Sequence, residues 1–129
     1  MTMIPTSPFE SASFSTQTDL SDSLFHTAKL SSGLIILGNS KGGPVEGIIQ
    51  EKVKASATDE RTVQVAISGI CRAECGASVS EGDYLIDDGS GRLIPDDGAN
   101  QFVVARALAD GDAGDYISVR LILSPTLTA

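Results

Sequence analysis

Few residues in this chain have the chemistry for catalysis or metal binding. There is one histidine, His26, and there are two cysteines, Cys71 and Cys75. A histidine-based triad would have to use His26 with a distant Ser or Cys, and no nucleophile elbow lies near it. His26 therefore reads as a surface or interface residue. Two cysteines and one distant histidine cannot supply the four ligands of a zinc site within one chain. Four residues apart on a strand is roughly 13 Å, beyond the roughly 7 Å Cα separation that a disulfide spans. Reduced structural thiols are the expectation, and an intramolecular disulfide across a turn is the alternative. The carboxylates are numerous but fall in turns: Asp87-Asp88, Asp96-Asp97 and Asp110-Gly111-Asp112. The stretch 110–115, DGDAGD, matches only the start of a calcium loop, which needs alternating oxygen donors and a distal Glu. Ser40-Lys41-Gly42-Gly43 puts its lysine before the glycines and is not a phosphate loop. No catalytic, cofactor or metal residue is assigned, and the chain reads as a non-enzyme without a cofactor.

These groups would have to be positioned by short elements. The chain has 129 residues, 13 Gly, 5 Pro, no Trp and 5% aromatics, with 41% hydrophobic residues. That supports one domain with one core. Short apolar runs separated by Gly, Asp and Ser fit strands and tight turns rather than long helices. The clearest strand covers residues 61–68, where Val63, Val65 and Ile67 alternate with Thr62, Gln64 and Ala66. Gly69 breaks or bulges it, and residues 70–75 continue it. Residues 33–37 and 47–55 are earlier strands. Residues 84–86 and 92–94 form a hairpin across Asp88-Gly89-Ser90-Gly91, because Asp and Gly supply the positive φ angles of such a turn. Residues 102–108 and 116–123 complete the set. In the last strand Ile117, Val119, Leu121 and Leu123 share one face, and Tyr116, Ser118 and Arg120 share the other. The fold class is all-β, and strands with such turn spacing close into a sandwich or barrel, here a body at residues 29–129.

Residues 1–28 differ. Pro5 and Pro8 block regular structure, Ser and Thr dominate, and apolar residues come singly. This reads as an extended N-terminal arm, with a short helix over residues 20–26 as an option. A purely solvating tail is the bland alternative, but such a tail seldom carries three Phe. Phe9, Phe14, Leu24 and Phe25 are the candidate contacts to a partner or to another copy of the chain.

The net charge of −8 opposes nucleic-acid and anionic-membrane binding, since phosphate recognition needs Lys and Arg patches. The nine basic residues never form a run. Residues 1–28 lack the basic start and apolar core of a signal peptide, so synthesis and retention in a cytoplasm are expected until release.

One resemblance extends this reading. In order, the chain carries Val63 to Ile70, Gly82 to Leu85, Gly91 to Pro95, Ala105 to Leu108 and Gly114 to Leu121. This succession resembles the capsid decoration, or cement, proteins of tailed bacteriophages. No single motif is specific; their order and spacing carry the weight. The resemblance implies a small β-barrel or β-tulip-like body that sits as a trimer at three-fold and quasi-three-fold points on the capsid exterior. It also implies the major capsid protein as partner and stabilisation of the expanded shell as function. The alternatives are another virion β-module, such as a head-fibre base or tail-associated protein, a stand-alone ligand-binding β-barrel, and a small hydrolase.

Overall fold

The alternation of Val63 and Val65 with polar neighbours commits that stretch to a strand with one buried face, and Gly69 sets where it changes partners. The computed structural model describes residues 9–98 and 101–125. Nine strands and no helix occur among them: β1 (Phe9–Thr16), β2 (Thr27–Ser31), β3 (Leu34–Leu37), β4 (Gly47–Ile49), β5 (Arg61–Glu74), β6 (Tyr84–Asp87), β7 (Leu93–Pro95), β8 (Phe102–Ala107) and β9 (Tyr116–Pro125). The protein is all-β, as its composition and periodicity predict.

β5 is the organising strand. Up to Gly69 it pairs antiparallel with β1, from Phe9↔Gly69 to Thr16↔Arg61, and with β4 through Ile48↔Ala66 and Ile49↔Val65. β4 pairs with β2, β2 with β3, and β3 meets β1 at Thr16↔Ile35. These pairings return to their start, so five strands form a ring. Beyond Gly69, whose φ is 92°, β5 pairs instead with β9. β9 pairs with β8, β8 with β6 and β6 with β7. A parallel bridge between Cys75 and Leu93 brings β7 back to the end of β5. A second ring thus forms, and the two share β5. Only glycine takes a φ near +90° without Cβ strain, which is why the handover falls there. Ring closure satisfies backbone groups that an open edge would expose.

Each ring has its own core. Leu20, Ala28, Ile35, Ile49, Val63 and Val65 fill the first. Cys71, Ala73, Leu85, Val104, Val119 and their neighbours fill the second. Gly47 sits so close to β5 that a Cβ there would overlap the Ala66 carbonyl.

The compositional boundary at residue 28 has no counterpart in the fold. From Phe9 onward the chain belongs to the first ring, and Thr16, Leu20, Thr27 and Ala28 are fully buried. The reason is that β1 is held mainly by its backbone ladder to β5, which composition does not register. Leu20 then joins Ala28, Ile35, Ile49, Val63 and Val65 in filling the ring. The helix considered for residues 20–26 is replaced by two successive turns, Ser23 N–H to Leu20 O at 3.1 Å and His26 N–H to Ser23 O at 3.1 Å. Residues 1–8 of the expected arm lie outside the described residues. The strand expected over residues 47–55 stops at Ile49, because the backbone beyond it leaves the ladder. Leu20 N–H there reaches Val53 O at 2.7 Å.

Candidate interaction surface

Three of the four residues singled out as contacts are brought together. Phe9 and Phe25 line a shallow groove of about 320 Å³ floored by Ile70, Cys71 and Arg72. Leu24 and Phe25 line an adjoining one of about 350 Å³ that reaches Tyr116. Phe25 is the wall they share. Phe14 lies elsewhere, packed against the core of the first ring. Phe9 and Phe25 are also partly buried against the core of the second ring. They therefore serve the fold as well as the surface.

Phe25 adopts a φ of 68°, a conformation that a bulky side chain takes only under constraint. The constraint is visible on both sides of the residue. Its N–H donates to Ile49 O at 2.9 Å, and its carbonyl accepts from Glu74 N–H at 3.2 Å. Phe25 thereby ties the turn after Leu20 to both β4 and β5. Its ring meets Tyr116 edge-on, with centroids 5.6 Å apart at 70°. This is the geometry that aromatic quadrupoles favour. Tyr116 remains 52% exposed.

Behind this groove runs a line of charge. His26 Nε2 lies 2.7 Å from Glu74 Oε1, and both side chains are mostly buried. Arg92 reaches Glu74 at 3.5 Å and Asp88 at 3.7 Å. Next to it is Asp87, 1% exposed. Asp87 Oδ1 accepts from Gly89 N–H and Gly91 N–H, each at 3.2 Å. Its carboxylate faces the buried Thr27, and Gly38 packs so tightly on both that a Cβ would overlap them. Burial pushes the Asp87 carboxyl up from its ordinary range, more than its two backbone donors pull it down. This cluster joins β2 of the first ring to the β6–β7 turn of the second.

The thiols are free and buried. Burial pushes Cys71 up to about 12. It raises Cys75 as well, with the Asp115 carboxylate adding to it. Thiols so shifted are poor nucleophiles and poor metal ligands at neutral pH. Among the described residues no group of three or more His, Cys, Asp or Glu is placed to hold a metal ion. What the surface offers is shape, aromatic edges and charge rather than reactive groups.

Two strand rings sharing one long strand make a recognisable fold. It is similar to that of a solved phage head-fibre base. The structure of the head fiber gp8.5 N base in bacteriophage phi29 matches with a TM-score of 0.71, covering 92% of this chain and 99% of that one at 16% identity. At that identity the likeness is one of fold. No family model matches the sequence, and no curated protein does. The motif order suggested the cement family, whereas the matched structure is described as a head-fibre base.

Sequence reasoning missed the pairing of Phe25 with Tyr116 and of His26 with Glu74. The outward position of Tyr116 was legible from alternation in β9. The approach of residue 26 to residue 74 was not, since nothing local signals a contact across 48 positions.

Proposed function

We propose that this chain is a non-enzymatic structural protein of a tailed-phage head, a base module that seats on the shell. The observation that supports the reading is the near-complete, two-way coverage of the fold match to a head-fibre base. The shallow grooves around Phe25 suit contact with another protein surface better than capture of a small molecule, which needs a deeper enclosure.

On this reading the protein acts by binding. A module that binds only the assembled shell stabilises that state by mass action. Repetition of the site over the lattice, or a homotrimer matched to a local three-fold axis, adds avidity. The partners are the major capsid protein and other copies of the chain, at the outer face of the virion. A cementing role is the second reading, favoured by the order of its β motifs from Val63 to Leu121.

The test is co-sedimentation of purified chain with DNA-filled heads and with unexpanded shells made by the genome that encodes it. Saturable binding to filled heads is expected. Loss of shell stability to heating when the protein is omitted would favour cementing over fibre seating. A chain that stays in the supernatant and is missing from purified particles by mass spectrometry refutes the virion reading.

A further inference from the structure

The register of the second ring collects arginines on one outer face. Tyr84 stands opposite Arg106, Arg106 opposite Arg120, and Arg120 opposite Ile70. Directly paired residues point to the same side of a sheet, so these four side chains form one row across β6, β8, β9 and β5. Two positions along β5 and β9 come Arg72 and Ser118, and two further on Glu74 and Tyr116. Residues two apart share a face. The opposite face of the same strands is core: Ala73, Ala105, Val119 and Leu121 are buried.

Arg72, Arg106 and Arg120 are all exposed. Among the described residues none of the three takes part in an ion pair, whereas Lys41, Arg61 and Arg92 each do. This is unexpected in a chain with 17 acidic and 9 basic residues. The carboxylate on the face, Glu74, is already engaged by His26 and Arg92. Asp83 and Asp115 at the rim accept from the backbone of Ser80 and Asp112. Like charges directly opposite each other on neighbouring strands repel, so Arg106 and Arg120 cost stability where they stand. Flanking them are Tyr84 and Tyr116, 54% and 52% exposed. Arg and Tyr are the residue types over-represented where proteins meet.

We propose that this arginine–tyrosine face is a docking surface for a carboxylate-rich protein surface. Charge complementarity carries the assignment: among the described residues this face sets side by side guanidinium groups that make no ion pair, Arg106 Nε donating only to the Gly82 carbonyl at 3.4 Å, and guanidinium groups take carboxylates readily. A nucleic acid fits less well, because affinity for a phosphate backbone grows with the number of phosphates neutralised and this face offers three arginines rather than a basic track. Where the acidic partner sits rests on the head-surface reading; the chemistry of the face does not.

The experiment compares the full-length chain with Arg120→Glu, with the double variant Arg106→Glu/Arg120→Glu, and with Lys54→Glu/Arg61→Glu, which makes the same charge change as the double variant but on the first ring. Each is passed over immobilised poly-L-glutamate and over immobilised DNA at low ionic strength, with its melting temperature measured. Arg120→Glu places an acid opposite Arg106, so it should melt no lower than wild type yet bind poly-L-glutamate at least about tenfold more weakly. The double variant should lose retention entirely, and the first-ring control should keep it. Equal retention of wild type and Arg120→Glu overturns the inference, as does stronger retention of wild type on DNA than on poly-L-glutamate. Heads then separate the two readings. If wild type co-sediments with heads and Arg120→Glu does so equally, the face is not the docking surface although the virion role stands. If wild type fails to co-sediment with heads but shows the poly-L-glutamate pattern above, the virion role falls and the face stands.

Discussion

Leu20→Ala separates an integral strand region from a strap. Leu20 is fully buried, in the core of the first ring with Ile35, Ile49, Val63 and Val65. Removing its side chain loses the transfer energy of three carbons and leaves a cavity walled by strands that are closed into a ring and cannot collapse freely. Such substitutions cost about 2–5 kcal/mol. A domain of this size holds roughly 5–15 kcal/mol in total. A loss of about 3 kcal/mol should lower the melting temperature by on the order of 10 °C. The control is Leu24→Ala, four residues on, where the side chain lines a surface groove and should cost less than about 1 kcal/mol. The assay is thermal unfolding followed by far-ultraviolet circular dichroism, with urea unfolding to obtain free energies. If Leu20→Ala melts within about 2 °C of wild type, Leu20 does not plug the ring and the region is a peripheral strap after all. By the same reasoning, deleting residues 1–20 should unfold the body, because it removes β1 and Leu20 together; a composition-based arm would instead be dispensable.

Further outcomes follow from the polar joint between the rings. Gly38→Ala should destabilise by about 1–3 kcal/mol in urea unfolding, since its new methyl overlaps Asp87 and Thr27; an unchanged midpoint would show that the joint is loose. Asp87→Asn should flatten the pH dependence of stability. The folded carboxyl titrates above its ordinary value of 3.8, so its contribution is fully present below that value and is lost as pH rises through the folded value. The asparagine variant should therefore gain on wild type as pH rises from about 3 to 7, and parallel stability curves would contradict the burial argument. Tyr116→Ser, which removes an exposed ring but keeps Phe25, should leave the melting temperature within a few degrees and weaken head binding by several-fold in the co-sedimentation assay; unchanged binding would remove this groove from the interface.

Periodicity along the chain was enough to specify most of the β structure. Alternation defined the first part of β5 and most of β9, and Asp-Gly chemistry located the β6–β7 turn, because both are properties of neighbours in sequence. Gly69 was legible as a break, yet its consequence, a change of partner strand that lets one β5 serve two rings, was not. β1 and β2 escaped notice because backbone hydrogen bonds hold a strand of Ser, Thr and Ala as firmly as one of Val and Ile. Residue type singled out Phe9, Phe14, Leu24 and Phe25 but not their placement: Phe9, Leu24 and Phe25 line grooves that Tyr116 joins, and Phe14 went to the core. Single apolar residues looked too sparse to enclose a core because a ring supplies walls from strands far away in sequence. The arginine face is the plainest case. Arg72, Arg106 and Arg120 never form a run, and their separation in sequence argued against any basic patch. Antiparallel register set them side by side, since pairing depends on which strands meet and in what alignment, and only tertiary structure decides that.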